Sequence, residues 1–490
     1  MARGKARNKA AKVSKAAKRQ IARAVTMLMA LVDVLVVAFL VITPGSAPLR
    51  IFAGVVLLAA TGEFIRRANG LSGGYGLYLA GSKRGIGMID RLAAGKERAW
   101  NFIADLGIAM GFGLMSYKLM SRRKKAFATG IVAIVLIVLV VFPNLGVILD
   151  FMPAISGRLA ESTATAAAHA SSSAAFTVSA IYLLVLVASV IGGFALLTVS
   201  LLLFSGASVI YSIATAVSSS NYASLSSQVP GVFPIIPGIT IPLFAGIIAL
   251  AILLVAHEFS HGVLARIARI KIKSVGMVLF GIIPFGAYVE PDEKAVEKQS
   301  KEKQDRIFIA GVSANMLLSV FFFVLMLIVV DIVLANISTG GVTVTALVPN
   351  SPASKVLSVG TTLLKWNNYT ITNQYALARI ESSYSGGAVA LTTSKGVVRI
   401  TPMPNGELGI LLEPARTGIA YGIAYFLFAV FALSFALNFF VAIFNLLPIP
   451  GFDGWRIYAN EIKSKRVLNA MLAIVVLAIL LNVLPWFWYF

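Results

Sequence analysis

The sequence predicts a polytopic α-helical membrane protein of about nine spans that carries one small mostly-β segment. Three observations lead there. First, 58% of the residues are hydrophobic and only 13% are charged, with a mean hydropathy of +0.87, far from the composition of soluble domains. Second, apolar runs long enough to cross a bilayer recur along the chain, each bounded by charge or by turn residues. Third, the 42 Lys and Arg against 20 Asp and Glu cluster in short segments between those runs. That is how topology determinants facing the cytoplasm and anionic lipid are distributed, so no nucleic-acid partner is expected. Cysteine is absent, which excludes disulfides, thiolate metal sites and cysteine nucleophiles.

Taken in order, residues 1–23 form a basic start in which Arg3, Lys5, Arg7, Lys9, Lys12, Lys15, Lys18, Arg19 and Arg23 stand without an acid. This predicts a cytoplasmic amino terminus. Expected spans follow at 24–43, 49–66, 101–119, 127–148, 175–205, 240–265, 307–335, 418–447 and 467–486. Counting from an inside start places Lys83, Arg84, Arg91, Lys96 and Arg98 inside, and likewise Arg266, Arg269, Lys271 and Lys273. Arg122 to Lys125 fall outside by this count, so either 101–119 is not a true span or the run 175–205 is misread. The chain divides into the basic start, an N-terminal membrane region 24–205, a membrane segment 230–336, a soluble-looking segment 338–415 and a final membrane segment 416–490.

In 338–415 the alternation of Val342, Val344 and Leu347 with polar residues, among Gly, Asn, Ser and Pro clusters, predicts short strands. Parity places it outside the cell, together with the sequons at Asn336 and Asn368. The segment 290–306 carries dense charge of both signs and is expected to be a solvated inner loop. Residues 156–175, rich in Ala and Ser, read as a connector.

The chemistry is concentrated in His257-Glu258-Phe259-Ser260-His261, inside the span 240–265. Histidines four apart share a helix face about 6 Å apart along its axis, which lets both reach one metal ion. Glu258, one residue on, can hold or deprotonate a water beside that metal. Ionisable groups inside a span are costly, and here two of the three histidines of the chain and a carboxylate share one turn. A catalytic zinc takes three protein ligands. The third histidine, His169, sits in the Ala/Ser connector and is not expected to serve. Asp453 is the best-placed carboxylate, because Asn445-Leu-Leu-Pro-Ile-Pro-Gly-Phe-Asp453-Gly454 breaks a long apolar helix at the depth of His257. Asp33, Asp105, Asp331 and Glu63 read as satisfied polar contacts or span ends.

The pair HEFSH and NLLPIPGFDG resembles the site-2 protease family of intramembrane zinc metalloproteases, with a layout similar to its archaeal members. The resemblance covers about 230–490, and 75–119 more weakly. It implies His257, His261 and Asp453 as zinc ligands and Glu258 as catalytic base. It also implies a role for Asn315 in Gly311-Val-Ser-Ala-Asn315, as a group that positions substrate or stabilises an oxyanion. Ser274 to Glu290, broken by Gly276, Gly281, Pro284 and Gly286, should then be a membrane-embedded β-hairpin whose free edge pairs with an extended substrate. Val342 to Ala353 resembles the start of a PDZ domain, which would bind peptide or act as a size filter. The expected activity is hydrolysis of peptide bonds in or near transmembrane segments of membrane-protein substrates, within regulated intramembrane proteolysis. A transporter or channel, or an inactive scaffold, is the alternative. Oligomeric state is not legible.

Overall fold

The structure, a computed structural model, describes residues 29, 47–120, 122–141, 172–220, 222, 225, 230–232, 235–238, 240–330, 340–348, 351–404, 406–414 and 419–489. Apart from residue 29, the expected span 24–43 lies outside the described residues, as do the carboxylates Asp33 and Asp331, His169 and the Asn336 sequon.

The helices are α1 Ala47–Asn69, α2 Lys83–Ala93, α3 Glu97–Phe112, α4 Lys124–Val141, α5 Ser172–Ser219, α6 Leu243–Ile267, α7 Lys301–Phe308, α8 Ala310–Ile328, α9 Gln374–Ser382, α10 Ile419–Phe444, α11 Asp453–Glu461 and α12 Lys465–Val483. Five helices among the described residues are long and apolar enough to cross a bilayer, over Leu183–Ser219, Leu243–Ile267, Ala310–Ile328, Gly422–Phe444 and Lys465–Val483. They coincide with five of the nine expected spans and make this a helical membrane protein.

The expected span 101–119 takes a different form. Helix α3 has 16 residues, about 24 Å, and stops at Gly113, whose φ of 55° and ψ of −141° leave the helical region. A 3-10 turn over Gly113–Lys118 follows. The chain then returns, so that Arg123 meets the Asp105 carboxylate in the middle of α3 at 2.6 Å, and Arg306 meets the same carboxylate at 2.7 Å. Arg122 to Lys125 therefore lie on the Arg306 side of the molecule. The run 175–205 is also irregular. Helix α5 is broken at Gly193 (φ 65°, ψ −165°), where a Cβ would lie 2.3 Å from the Gly111 backbone, so only glycine allows α3 and α5 to touch there.

Two sheets complete the fold. The first is antiparallel in the order β1-β2-β3-β4, with β1 Gly73–Gly74, β2 Leu77–Gly81, β3 Ile272–Phe280 and β4 Ile283–Pro291. The hairpin β3–β4 is the one expected, turning at Gly281 (φ 60°). The pairing of β2 with β3, from Leu77 opposite Phe280 to Gly81 opposite Gly276, was not expected. It ties the upstream region to the hairpin and leaves β4 with one free edge. The second sheet contains β5 Val342–Leu347, β6 Thr362–Trp366, β7 Tyr369–Thr370, β8 Val389–Thr393, β9 Gly396–Ile400 and β10 Ile410–Pro414. Its path is β10-β5-β6-β8-β9, with β7 on β6. Val342, Val344, Leu363, Trp366, Leu377 and Leu391 form its own apolar core, the predicted alternation made solid. The main core runs from Ile89 and Ile108 through Phe194 to Val263, Met316, Phe435 and Ile457. The membrane helices before and after residue 205 thus share one interior.

Candidate metal centre

Each site residue is delivered by a different local device. Helix α6 carries His257 and Glu258 side by side and His261 one turn on, with Ser260 turned back onto the Ala256 carbonyl at 2.7 Å. Two prolines, Pro448 and Pro450, and Gly451 at φ 98° end the α10 helix and reverse the chain. The Gly454 N–H donates to the Asn445 carbonyl at 2.7 Å, and a Cβ at Gly454 would lie 2.4 Å from the Leu446 carbonyl oxygen. This closed loop sets Asp453 in the first turn of α11.

The three groups then converge. His257 Nε2 and His261 Nε2 are 3.3 Å apart, and each lies 3.3 Å from Asp453 Oδ2. Asp453 Oδ2 is buried and has no hydrogen-bond partner. A buried carboxylate oxygen left without a donor is the signature of a place for a cation. The triangle also has the right size, since zinc bonds of 2.0–2.1 Å at tetrahedral angles separate ligand atoms by about 3.3 Å. The residues fit zinc. Among the described residues this is the one cluster of three such groups within ligand range.

Around it lies a second layer. Asn315, fully buried on α8, brings its side-chain amide 3.1 Å from His257 Nδ1, and the Ile307 carbonyl lies 2.7 Å from His261 Nδ1. With Nε2 of each ring at the centre, Nδ1 carries the proton. Ile307 then accepts from His261. Beside His257 it is Asn315 Nδ2 that lies 3.1 Å from Nδ1, while Asn315 Oδ1 has no partner; a half-turn of the amide lets that oxygen accept from a protonated Nδ1. Gly311 lets α8 approach, for a Cβ there would fall 2.4 to 2.6 Å from the His257 ring. Glu258 Oε2 accepts the Val289 N–H of β4 at 3.1 Å, so the free edge of the hairpin faces the glutamate.

Most charges of the segment 290–306 are exposed, as expected of a solvated segment, but its last turns are not: Asp305 is buried and Arg306 half-buried. Lys301 donates to the Asn460 carbonyl at 2.5 Å and approaches the Glu461 carboxylate at 3.3 Å, and Asn460 Nδ2 donates to Asp305 at 2.8 Å. Burial pushes the Asp305 carboxyl up to about 6, the Asn460 hydrogen bond opposing and Glu461 adding to the rise. These contacts fasten α7 to α11, the last of them two residues before Ile307. The signal in the sequence was the position of Asp305 and Arg306 at the very edge of an apolar run, where charge is buried and partnered rather than solvated. Elsewhere, Glu63 pairs with Arg66 and Arg67 at 2.7 and 2.6 Å, and Asp105 with its two arginines, as satisfied contacts. Arg266 at the end of α6 holds Asp90 at 2.5 Å, and that hydrogen bond lowers the Asp90 carboxyl.

Fold and site together define a helical membrane protein with a half-buried His-His-Asp centre beside a glutamate. Comparison gives this class a family. Residues 245–484 match the model of Peptidase family M50, the site-2 protease family. An uncharacterized protein of Methanocaldococcus jannaschii is 28% identical over 240 residues, 47% of this chain and 61% of that protein. A protein of Clostridium acetobutylicum named as a candidate zinc metalloprotease is 29% identical over 149 residues, 26% of this chain and 42% of that protein. The match thus spans less than two thirds of either relative.

Proposed function

We propose that the protein is an intramembrane zinc metalloprotease in which His257, His261 and Asp453 hold the metal and Glu258 is the catalytic base. The observation that carries this reading is the 3.3 Å triangle of His257, His261 and Asp453, with Glu258 on the same helix. When bound there, zinc supplies Lewis acidity that polarises a carbonyl and acidifies water. Glu258 Oε1, left open while Oε2 accepts from Val289, takes a proton from the attacking water. It then returns that proton to the amine nitrogen as the scissile C–N bond breaks. Asn315 and the Ile307 carbonyl keep the two imidazoles aimed. The Asn315 amide is also the expected substrate or oxyanion group, and its contact with His257 favours the positioning role.

A substrate segment entering from the bilayer would pair with the free edge of β4 and lie extended past Glu258. The cationic ends Arg266, Lys271, Arg306 and Lys125 share one side, which the positive-inside rule makes cytoplasmic. The sheet over 342–414 then faces outward, where a PDZ-like module screens untrimmed substrates. Single cysteines report the sidedness. Exposed Ser382→Cys should react with an impermeant thiol reagent on intact cells, and Lys125→Cys only after permeabilisation.

The function is tested with purified protein and a reporter containing one membrane segment. Equimolar zinc, cleavage lost to a chelator and regained with zinc support the reading. A protein that binds no zinc and cleaves regardless contradicts it.

A further inference from the structure

A second feature stands apart from the metal centre. A cavity of about 800 Å³ opens between α3, the start of α4 and α7, lined by Arg98, Arg122, Arg123, Lys124, Lys125 and Arg306, with Asp105 as the one carboxylate. That carboxylate is already spent, because Arg123 and Arg306 hold both of its oxygens at 2.6 to 2.8 Å. Arg98, Arg122, Lys124 and Lys125 are exposed and form no ion pair with a described residue. Four cations in a row from Arg122 to Lys125, with Arg98 across the cavity, repel one another, and a polyvalent anion between them removes that repulsion.

The walls say which kind of anion. Phe102 on α3 is 41% exposed, and beyond the cavity Val132, Leu136 and Leu139 of α4 are 57%, 56% and 57% exposed. Their spacing of four and three places them on one helix face. A cationic cup continuous with an apolar helical stripe complements a molecule that has a phosphate at one end and hydrocarbon at the other.

We propose that this cavity binds the phosphate headgroup of an anionic phospholipid, whose acyl chains run along the exposed face of α4. Arg98, Arg122, Lys124 and Lys125 supply the charge-assisted contacts to phosphate oxygens. Arg123 and Arg306, fixed by Asp105, form the floor. A free phosphate ion offers the same oxygens without the chains.

The test needs no hydrolytic activity, so it stands or falls apart from the protease reading. The full chain is purified in micelles with equal parts phosphatidylglycerol and phosphatidylcholine, and retained lipid is counted by native mass spectrometry. It is compared with Arg122→Gln/Lys124→Gln/Lys125→Gln and with Lys294→Gln/Lys298→Gln/Lys303→Gln, an equal loss of charge at exposed positions elsewhere. Wild type and the second variant should retain phosphatidylglycerol selectively, and the cavity variant should lose on the order of a hundredfold in apparent affinity. If the triple variant fails to fold, Arg98→Gln and Lys125→Gln singly should each lose several-fold. Equal losses in both triple variants, or none in the cavity variants, would overturn the proposal. So would displacement of the lipid by inorganic phosphate at matched concentration, which would make the cavity a site for the free ion.

Discussion

Asn460 Nδ2 donates to Asp305 Oδ1 at 2.8 Å, across 155 residues of sequence. One end lies on α11, the helix that begins with Asp453. The other lies two residues before Ile307, whose carbonyl holds His261. A single hydrogen bond therefore links the supports of two proposed ligands. Asn460→Ala removes the donor and leaves Asp305, 3% exposed, without it. Zinc affinity, read by competition with a chelator, should fall about tenfold, the scale of an outer-layer contact to a metal site. Unchanged affinity would mean that Lys301 alone secures α11.

Gly311 lets the α8 backbone pack against the His257 ring. Gly311→Ala places a methyl within 2.6 Å of the His257 ring, so the ring or α8 must move. Overpacking of this kind costs about 1–3 kcal/mol, and zinc content should drop sharply. Gly422→Ala, where nothing lies within 4 Å, should leave zinc content unchanged. Equal zinc in both variants would show that the ring has room.

Asn315 separates two roles by substitution. Asn315→Asp preserves an acceptor for His257 Nδ1 and should keep most zinc, whereas Asn315→Leu removes it and should weaken zinc by about 10- to 100-fold. If Asn315→Leu keeps its zinc and loses only turnover, the amide serves substrate or oxyanion instead.

The sheet over 342–414 carries its own pH signal. Burial, with Glu407 adding repulsion, pushes the Glu381 carboxyl up to about 7 from 4.5. The folded state therefore holds its proton more tightly than the unfolded chain does. Stability from this group is complete below pH 4.5 and is lost as pH rises through about 7. Hydrogen exchange of the β5 and β6 amides, corrected for intrinsic rate, should show less protection at pH 7.5 than at pH 5, and Glu381→Gln should flatten the difference. Rising protection over the same window would reverse the assignment.

Much of the site was legible because its chemistry is anomalous for a membrane. Two histidines and a glutamate in one turn of an apolar helix are costly without partners or a function, and the Pro/Gly break before Asp453 has to be buried in protein or line a wet cavity. That 274–290 is not a helix was readable from glycines and a proline in an apolar run, and the hairpin followed from the family resemblance. What escaped was everything set by long-range pairing. The β2–β3 pairing joins residue 77 to residue 280, and no local pattern marks it. The halt of α3 at Gly113 depends on the break at Gly193, a contact across 80 residues. Charges at 301–306 looked solvated because their partners Asn460, Glu461 and Asp105 lie 159, 160 and 201 residues away.

The most direct measurement is a paired assay of zinc content and turnover on a reporter with one membrane segment, for wild type, Glu258→Gln and Asp453→Ala. Wild type should hold one zinc and cleave. Glu258→Gln should keep the zinc with turnover lowered by at least about 10²-fold, because only the proton acceptor is gone. Asp453→Ala should lose both, because a ligand is gone. Full cleavage by Glu258→Gln, or a full complement of zinc in active Asp453→Ala, would contradict the account.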